Sequence, residues 1–151
     1  MMWGCFTMQG IGQACRIDGN LDAKLYRNIL MEKLMGTLKQ YGLRQNGIVF
    51  QHDNDPKHTA RSTKQWLADN AFEVLDWPSQ SPDLNPIEHL WRYLKQRLAE
   101  YNEPPRGVHE LWERVQAVWN TIEPAFCVHL IESMPARISA VLAAKGGYSN
   151  W

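Results

Sequence analysis

The chain has 151 residues, 44% hydrophobic and 21% charged, with 16 basic and 16 acidic side chains and a formal net charge of zero. That suits one domain of ordinary globular composition, able to bury roughly 70% of the surface its unfolded form exposes. Neutrality argues against a domain that grips DNA by charge alone, because affinity from phosphate contacts scales with the cations supplied. No apolar run approaches the roughly 20 residues of a membrane span, and Met1 to Gln9 lacks the basic start and apolar stretch of a signal peptide. The three cysteines, Cys5, Cys15 and Cys127, are odd in number and form no C-x-x-C, so neither a zinc site nor a disulfide frame is expected. A reducing, intracellular compartment is the default for such a chain.

Met2 to Met8 reads as a strand, Gly10 and Gly12 punctuate a turn, and Ile11 to Ile17 continues as a second strand, so the two form a hairpin. After the turn Asp18-Gly19-Asn20, the stripe Leu25, Ile29, Leu30, Leu34, Leu38 and Tyr41 predicts a helix, with Gly42 as its C-cap. Gly47 to His52 is a third strand. Pro56 opens a helix that runs to about Asn70, where a missing N–H costs nothing. Phe72 to Leu75 is a short fourth strand, and Trp77 to Asn85 is a loop. Ile87, Leu90, Trp91, Leu94 and Leu98 mark a helix from Pro86 to about Ala99, broken by Glu103-Pro104-Pro105. Val108, Leu111, Trp112, Val115, Val118, Trp119 and Ile122 mark the next, with Trp112 and Trp119 at core-packing spacing. Pro124 and Pro135 bracket a shorter helix, and a last one runs from about Ala136 to Lys145, ended by Gly146-Gly147. Strands first, then strands alternating with helices, then helices alone, predict a mixed α/β sandwich.

Two blocks carry chemistry. Phe50-Gln51-His52-Asp53-Asn54-Asp55-Pro56-Lys57-His58-Thr59-Ala60-Arg61 puts Asp53 at the C-terminal end of a strand, where open α/β sheets place their sites. Trp77-Pro78-Ser79-Gln80-Ser81-Pro82-Asp83-Leu84-Asn85-Pro86-Ile87-Glu88-His89-Leu90-Trp91 puts Glu88 in the first turn of a helix, with 34 residues between the two carboxylates. A pair of divalent ions for phosphodiester chemistry needs two such carboxylates brought together. Each has a plainer reading. Asp53 suits a solvated turn. Asn85, Pro86 and Glu88 make a capping-box arrangement, with Glu88 reaching back to the cap N–H. Asp55 before Pro56 reads as an N-cap. An aspartyl-phosphate site wants Thr or Val two residues beyond the second Asp, and Lys57 stands there. His52, His58 and His89 flank the carboxylates, but no two share metal spacing on a helix face, so Mg²⁺ or Mn²⁺ with oxygen ligands is preferred over zinc. Lys57, His58, Arg61 and Lys64, near one helix start, are the candidate nucleic-acid-binding residues, the alternative being a solvated face.

On these two blocks, and over Trp3 to Trp151 as a whole, the chain resembles the catalytic domain of Tc/mariner superfamily transposases, the cut-and-paste DNA transposases with an Asp-Asp-Glu triad. The resemblance implies a ribonuclease H-like fold, a mixed sheet flanked by helices with a C-terminal helical extension. It implies that Asp53 is the second triad Asp, Glu88 the triad Glu, and both are metal ligands for two Mg²⁺ or Mn²⁺ ions. The first triad Asp belongs on a central strand just upstream of the segment Met2-Trp3-Gly4-Cys5-Phe6. Residues 1–151 thus read as one DDE transposase/integrase-type catalytic domain, incomplete at its N-terminus and without the family's helix-turn-helix region.

The implied activity is DNA strand cleavage and transfer in the nucleus, on transposon ends and target DNA, with the chain inactive alone. The alternative is a non-catalytic remnant that serves as a nucleic-acid or protein interaction module. It would act as a homo-oligomer or by pairing with a full-length transposase, without a membrane partner.

Overall fold

The computed structural model of the chain describes residues 1–78 and 81–145, so Ser79, Gln80 and the expected helix stop at Gly146-Gly147 lie outside the described residues. The described residues fall into two compact units. One takes Met1–Cys5 and the residues from Gly12 to Pro78; the other takes Phe6–Ile11 and the residues from Ser81 on.

The hairpin forms as the apolar runs predict, but its turn is Met8-Gln9, with Gly10 opening the second strand and Gly12 inside it rather than in the turn. Strand β1 (Met2–Thr7) pairs with β2 (Gly10–Arg16). At its open end Met1 and Ile17 exchange both backbone bonds, at 2.8 and 3.4 Å, as directly opposed antiparallel residues do. Gly10 takes φ +135°, a conformation a side chain would strain, and Thr7 Oγ1 accepts the Gln9 N–H at 3.0 Å to close the turn.

Asp22 caps α1 (Ala23–Ile29), its carboxylate accepting the Leu25 N–H at 2.7 Å. The helix does not run uniformly to Gly42. Leu30–Leu34 is wound as a π-helix, and α2 (Met35–Gln40) resumes the tighter winding. Tyr26, Leu30, Leu34 and Leu38, four residues apart each time, all stay buried through this change of pitch. Gly42, at φ +64°, ends the helix as expected. With Phe50, Leu67 and Phe72 these side chains form the core of the first unit, and Trp3, Cys5, Ile48 and Trp66 pack against it.

Strand pairing is shorter than the apolar runs suggest. Strand β3 is Val49–Phe50 and β4 is Glu73–Val74, paired in parallel with Val49 opposite Glu73 and Phe50 opposite Val74. Parallel neighbours need a crossover, and here it is helical: α3 (Pro56–Thr59) and α4 (Arg61–Asp69). The single helix expected from Pro56 is broken at Ala60, whose ψ of 140° is extended. The hydroxyl of buried Thr63 donates to the Lys57 carbonyl at 2.9 Å, satisfying an acceptor the break leaves open. Among the described residues the sheets are two separate pairs, β1–β2 and β3–β4.

The second unit is helical: α5 (Ile87–Ala99), α6 (Val108–Asn120), α7 (Pro124–Glu132) and α8 (Met134–Ala143). Leu90, Leu94, Val115, Val118, Trp119, Ile122, Cys127 and Leu130 are buried. Trp91 stacks on Trp119 at 5.6 Å between centroids, so Trp119 packs as its spacing predicts, whereas Val108 and Leu111 of the same stripe are exposed. Together α7 and α8 span 20 residues, long and apolar enough by length and composition to cross a membrane. The sequence shows no uninterrupted run there because Glu132, Ser133 and Arg137 interrupt it. A cation is costly at mid-span; Arg137 is instead buried inside the unit, its Nε–H donated to Ser133 Oγ at 2.7 Å.

Candidate active site

The chain leaves β3 through Gln51 and His52 and turns at Asp53, so Asp53 stands where a strand end meets a helix start. Its side chain is 55% exposed, yet it is not free to rotate. Oδ1 accepts the His58 Nδ1–H at 2.6 Å and the Asp55 N–H at 3.1 Å. Oδ2 has no partner among the described residues. Asn54 donates to the Trp77 carbonyl at 2.6 Å, tying the loop to the segment after β4.

Asp55 is the N-cap the sequence predicts. It accepts the Lys57 N–H at 3.1 Å ahead of Pro56, and the Lys57 ammonium closes an ion pair on its other oxygen. Burial raises this carboxyl, but the Lys57 hydrogen bonds and charge outweigh it and hold Asp55 below its usual range. Lys57 is thereby committed to a carboxylate. Arg61 and Lys64 are exposed on α4, and neither has an ion-pair partner among the described residues.

His58 lies over Tyr26, ring centroids 4.1 Å apart, and stacks beside His52 at 5.4 Å. The Tyr26 phenol, 1% exposed, hydrogen-bonds His52 Nδ1 at 3.1 Å. Burial, and then the Asp53 charge, push that phenol above its ordinary range, so it stays protonated. Burial, with His58 second, lowers His52 to about 4, so its imidazole is neutral and free to accept.

A stability prediction follows from His52. Its folded value lies below the ordinary 6.5, so between pH 6.5 and about 4 the unfolded chain holds the extra proton. The contribution is fully present above 6.5 and is lost as pH falls through that window, by at most about 3 kcal/mol. Urea melts in EDTA at pH 7 and pH 4.5 should show it as a gap between wild type and His52→Gln that narrows on acidification. A constant gap would refute it.

Glu88 lies in the first turn of α5, exposed, in the other unit. The capping box does not form: Asn85 Oδ1 accepts the Ile87 N–H at 3.4 Å, and the Glu88 carboxylate has no hydrogen bond or ion pair among the described residues. Its neighbour His89 is held below its usual range by burial and then by the charges of Arg137 and Arg92.

The first unit thus brings together Asp53, Asp55, Lys57 and His58, while Glu88 belongs to the second, and the pairing of Asp53 with Glu88 rests on the sequence blocks. Among the described residues no three His, Cys, Asp or Glu side chains group as a metal cage. The sequence reading missed the bond from His58 to Asp53. Its one signal is a spacing of five residues across a capped helix start.

A family model described as DDE superfamily endonuclease matches residues 1–111. The Tc1 transposase of Caenorhabditis elegans is 40% identical over 148 residues, which cover 97% of this chain and 52% of that protein. The chain thus spans about half the length of the relatives it matches. The Mos1 transposase catalytic domain, solved with raltegravir and Mn, superposes with a TM-score of 0.85 at 25% identity, over 97% of this chain and 76% of that one. The Mos1 strand transfer complex gives a TM-score of 0.81 at 25% identity, over 97% of this chain and 43% of that one.

Proposed function

Because the chain belongs to the DDE superfamily endonucleases of the Tc/mariner type and has their ribonuclease H-like catalytic fold, we propose that it is the part of a DNA transposase that holds metal at the scissile phosphate. It would work in the nucleus on transposon ends and target DNA. The observation that carries this reading is Asp53, a carboxylate at a strand end with one oxygen bound and the other open. Glu88, whose carboxylate has no hydrogen bond or ion pair among the described residues, is the second ligand. Open carboxylate oxygens suit Mg²⁺ or Mn²⁺, which favour hard donors. Divalent ions held there supply Lewis-acid stabilisation of the phosphoryl oxygens and a more acidic attacking hydroxyl. The residues of this chain hold and orient: Asp53 from the strand end, Glu88 from the helix start.

Iron(II) loaded in place of Mg²⁺ and treated with ascorbate cuts polypeptide near its ligands. Cuts are expected near both residue 53 and residue 88, and both should vanish in Asp53→Ala. Cuts near one residue alone would sink the shared site.

DNA is the partner this reading requires, and the Mos1 strand transfer complex supports it. Since Lys57 is committed to Asp55 and His58 to Asp53, the two of the four candidates left for phosphate are Arg61 and Lys64. Replacing both by alanine should weaken binding alike on all sequences and reduce the slope of log K against log salt by about 2. An unchanged slope would return them to a solvated face.

A further inference from the structure

We infer that His58 is a positioning residue for the metal ligand Asp53, an inference that rests on the catalytic reading above. A carboxylate more than half exposed on a loop normally samples several rotamers. Asp53 is pinned instead, with His58 Nδ1 at 2.6 Å and the Asp55 amide at 3.1 Å converging on Oδ1. Both donors take the same oxygen, so Oδ2 keeps a fixed direction and all its acceptor capacity. An ionised carboxylate only accepts, so the bond itself puts a proton on Nδ1 of His58.

The imidazole is a rigid support. Its side chain is 15% exposed and lies over Tyr26 and beside His52. Tyr26 belongs to the first unit's core with Leu30 and Phe50. Rigidity therefore passes from the core through Tyr26 and His58 to Asp53. Ligand carboxylates held by a second hydrogen bond bind metal more tightly, because their orientation is set before the ion arrives.

The 151-residue chain serves for the test, with two readouts. In metal-free wild type, long-range ¹H–¹⁵N spectra should show the His58 proton on Nδ1, and Asp53→Ala should change that signature. A bare Nδ1 with the proton on Nε2 overturns the inference without any variant at position 58. Mn²⁺ affinity, read from the free-ion electron paramagnetic resonance signal, should fall about tenfold in His58→Ala. His58→Asn should restore it, since the asparagine amide nitrogen sits the same two bonds from Cβ as Nδ1, and His58→Gln should not. Affinity equal in His58→Ala and wild type overturns the inference, provided Asp53→Ala has lost binding. The same loss in Asn, Gln and Ala variants also overturns it, reducing His58 to packing on Tyr26. If Asp53→Ala itself binds Mn²⁺ as wild type does, the catalytic reading falls, and the inference with it.

Discussion

Asp53→Ala and Glu88→Ala are each expected to lower Mg²⁺-dependent DNA cleavage at least about a thousandfold, near 4 kcal/mol of transition-state stabilisation. The setting is a polypeptide that carries these 151 residues together with a third carboxylate on a neighbouring strand. On the proposed reading each substitution removes a ligand from a site that works as a unit, so the double variant should be little worse than either single one. Asp53→Asn separates charge from shape: its amide oxygen still accepts from His58 while the anion is gone, and cleavage should fall nearly as far. The 151-residue chain by itself should give no strand transfer with Mg²⁺ or Mn²⁺, because two carboxylates underligate a metal pair. Robust cleavage by that chain, lost in Asp53→Ala, would show that another of its own residues supplies the third ligand. Gel assays on end-labelled transposon-end DNA decide both.

A polypeptide of these 151 residues should also self-associate. Strand β1 pairs with β2 and β3 with β4, and among the described residues the two pairs are not joined, although Trp3 and Cys5 of one and Phe50 of the other pack on the same core. Open strand edges offer N–H and C=O groups as a template for another chain. Each such group buried without a partner costs about 1–3 kcal/mol. Several would consume much of a stability of about 5–15 kcal/mol. Sedimentation velocity should therefore show dimers or larger species, with a broad thermal transition. A longer polypeptide that supplies a strand between the two edges should be monomeric and melt higher. A monomeric, cooperatively melting chain of 151 residues, no less stable than the longer one, would refute the argument.

Local features proved the most legible. Asp55 before Pro56 fixed a cap, Gly42 a helix stop, and Gly10 the end of a hairpin turn, because each depends on neighbours two to four residues away. Strand length was not legible. Ile48 and Gln51 read as strand, but the β3–β4 ladder takes in only Val49 and Phe50, because a ladder extends only as far as its neighbour does. The break at Ala60 was hidden as well: no glycine or proline marks it, and what supports it is the buried Thr63 hydroxyl, which donates to the Lys57 carbonyl six residues back across the break. The two carboxylates proposed as ligands stand out as blocks in the sequence, while the hydrogen bond from His58 to Asp53 depends on the break, which sets His58 on its own short helix.

The widened turn at Leu30–Leu34 has a consequence for how this helix can vary among relatives. Tyr26, Leu30, Leu34 and Leu38 recur every four residues. In an unbroken α-helix each such step overshoots by about 40°, so the fourth would sit about 120° round from the first. A single π-type turn absorbs one extra residue, about 100° of that drift. The helix therefore carries one residue more than its span requires. A relative that lacks it could run straight from the hairpin to the loop before Val49 with its apolar stripe spaced by alternating threes and fours. A gap of one at this place in an alignment would then record a change of winding, with Asp53 left where it is.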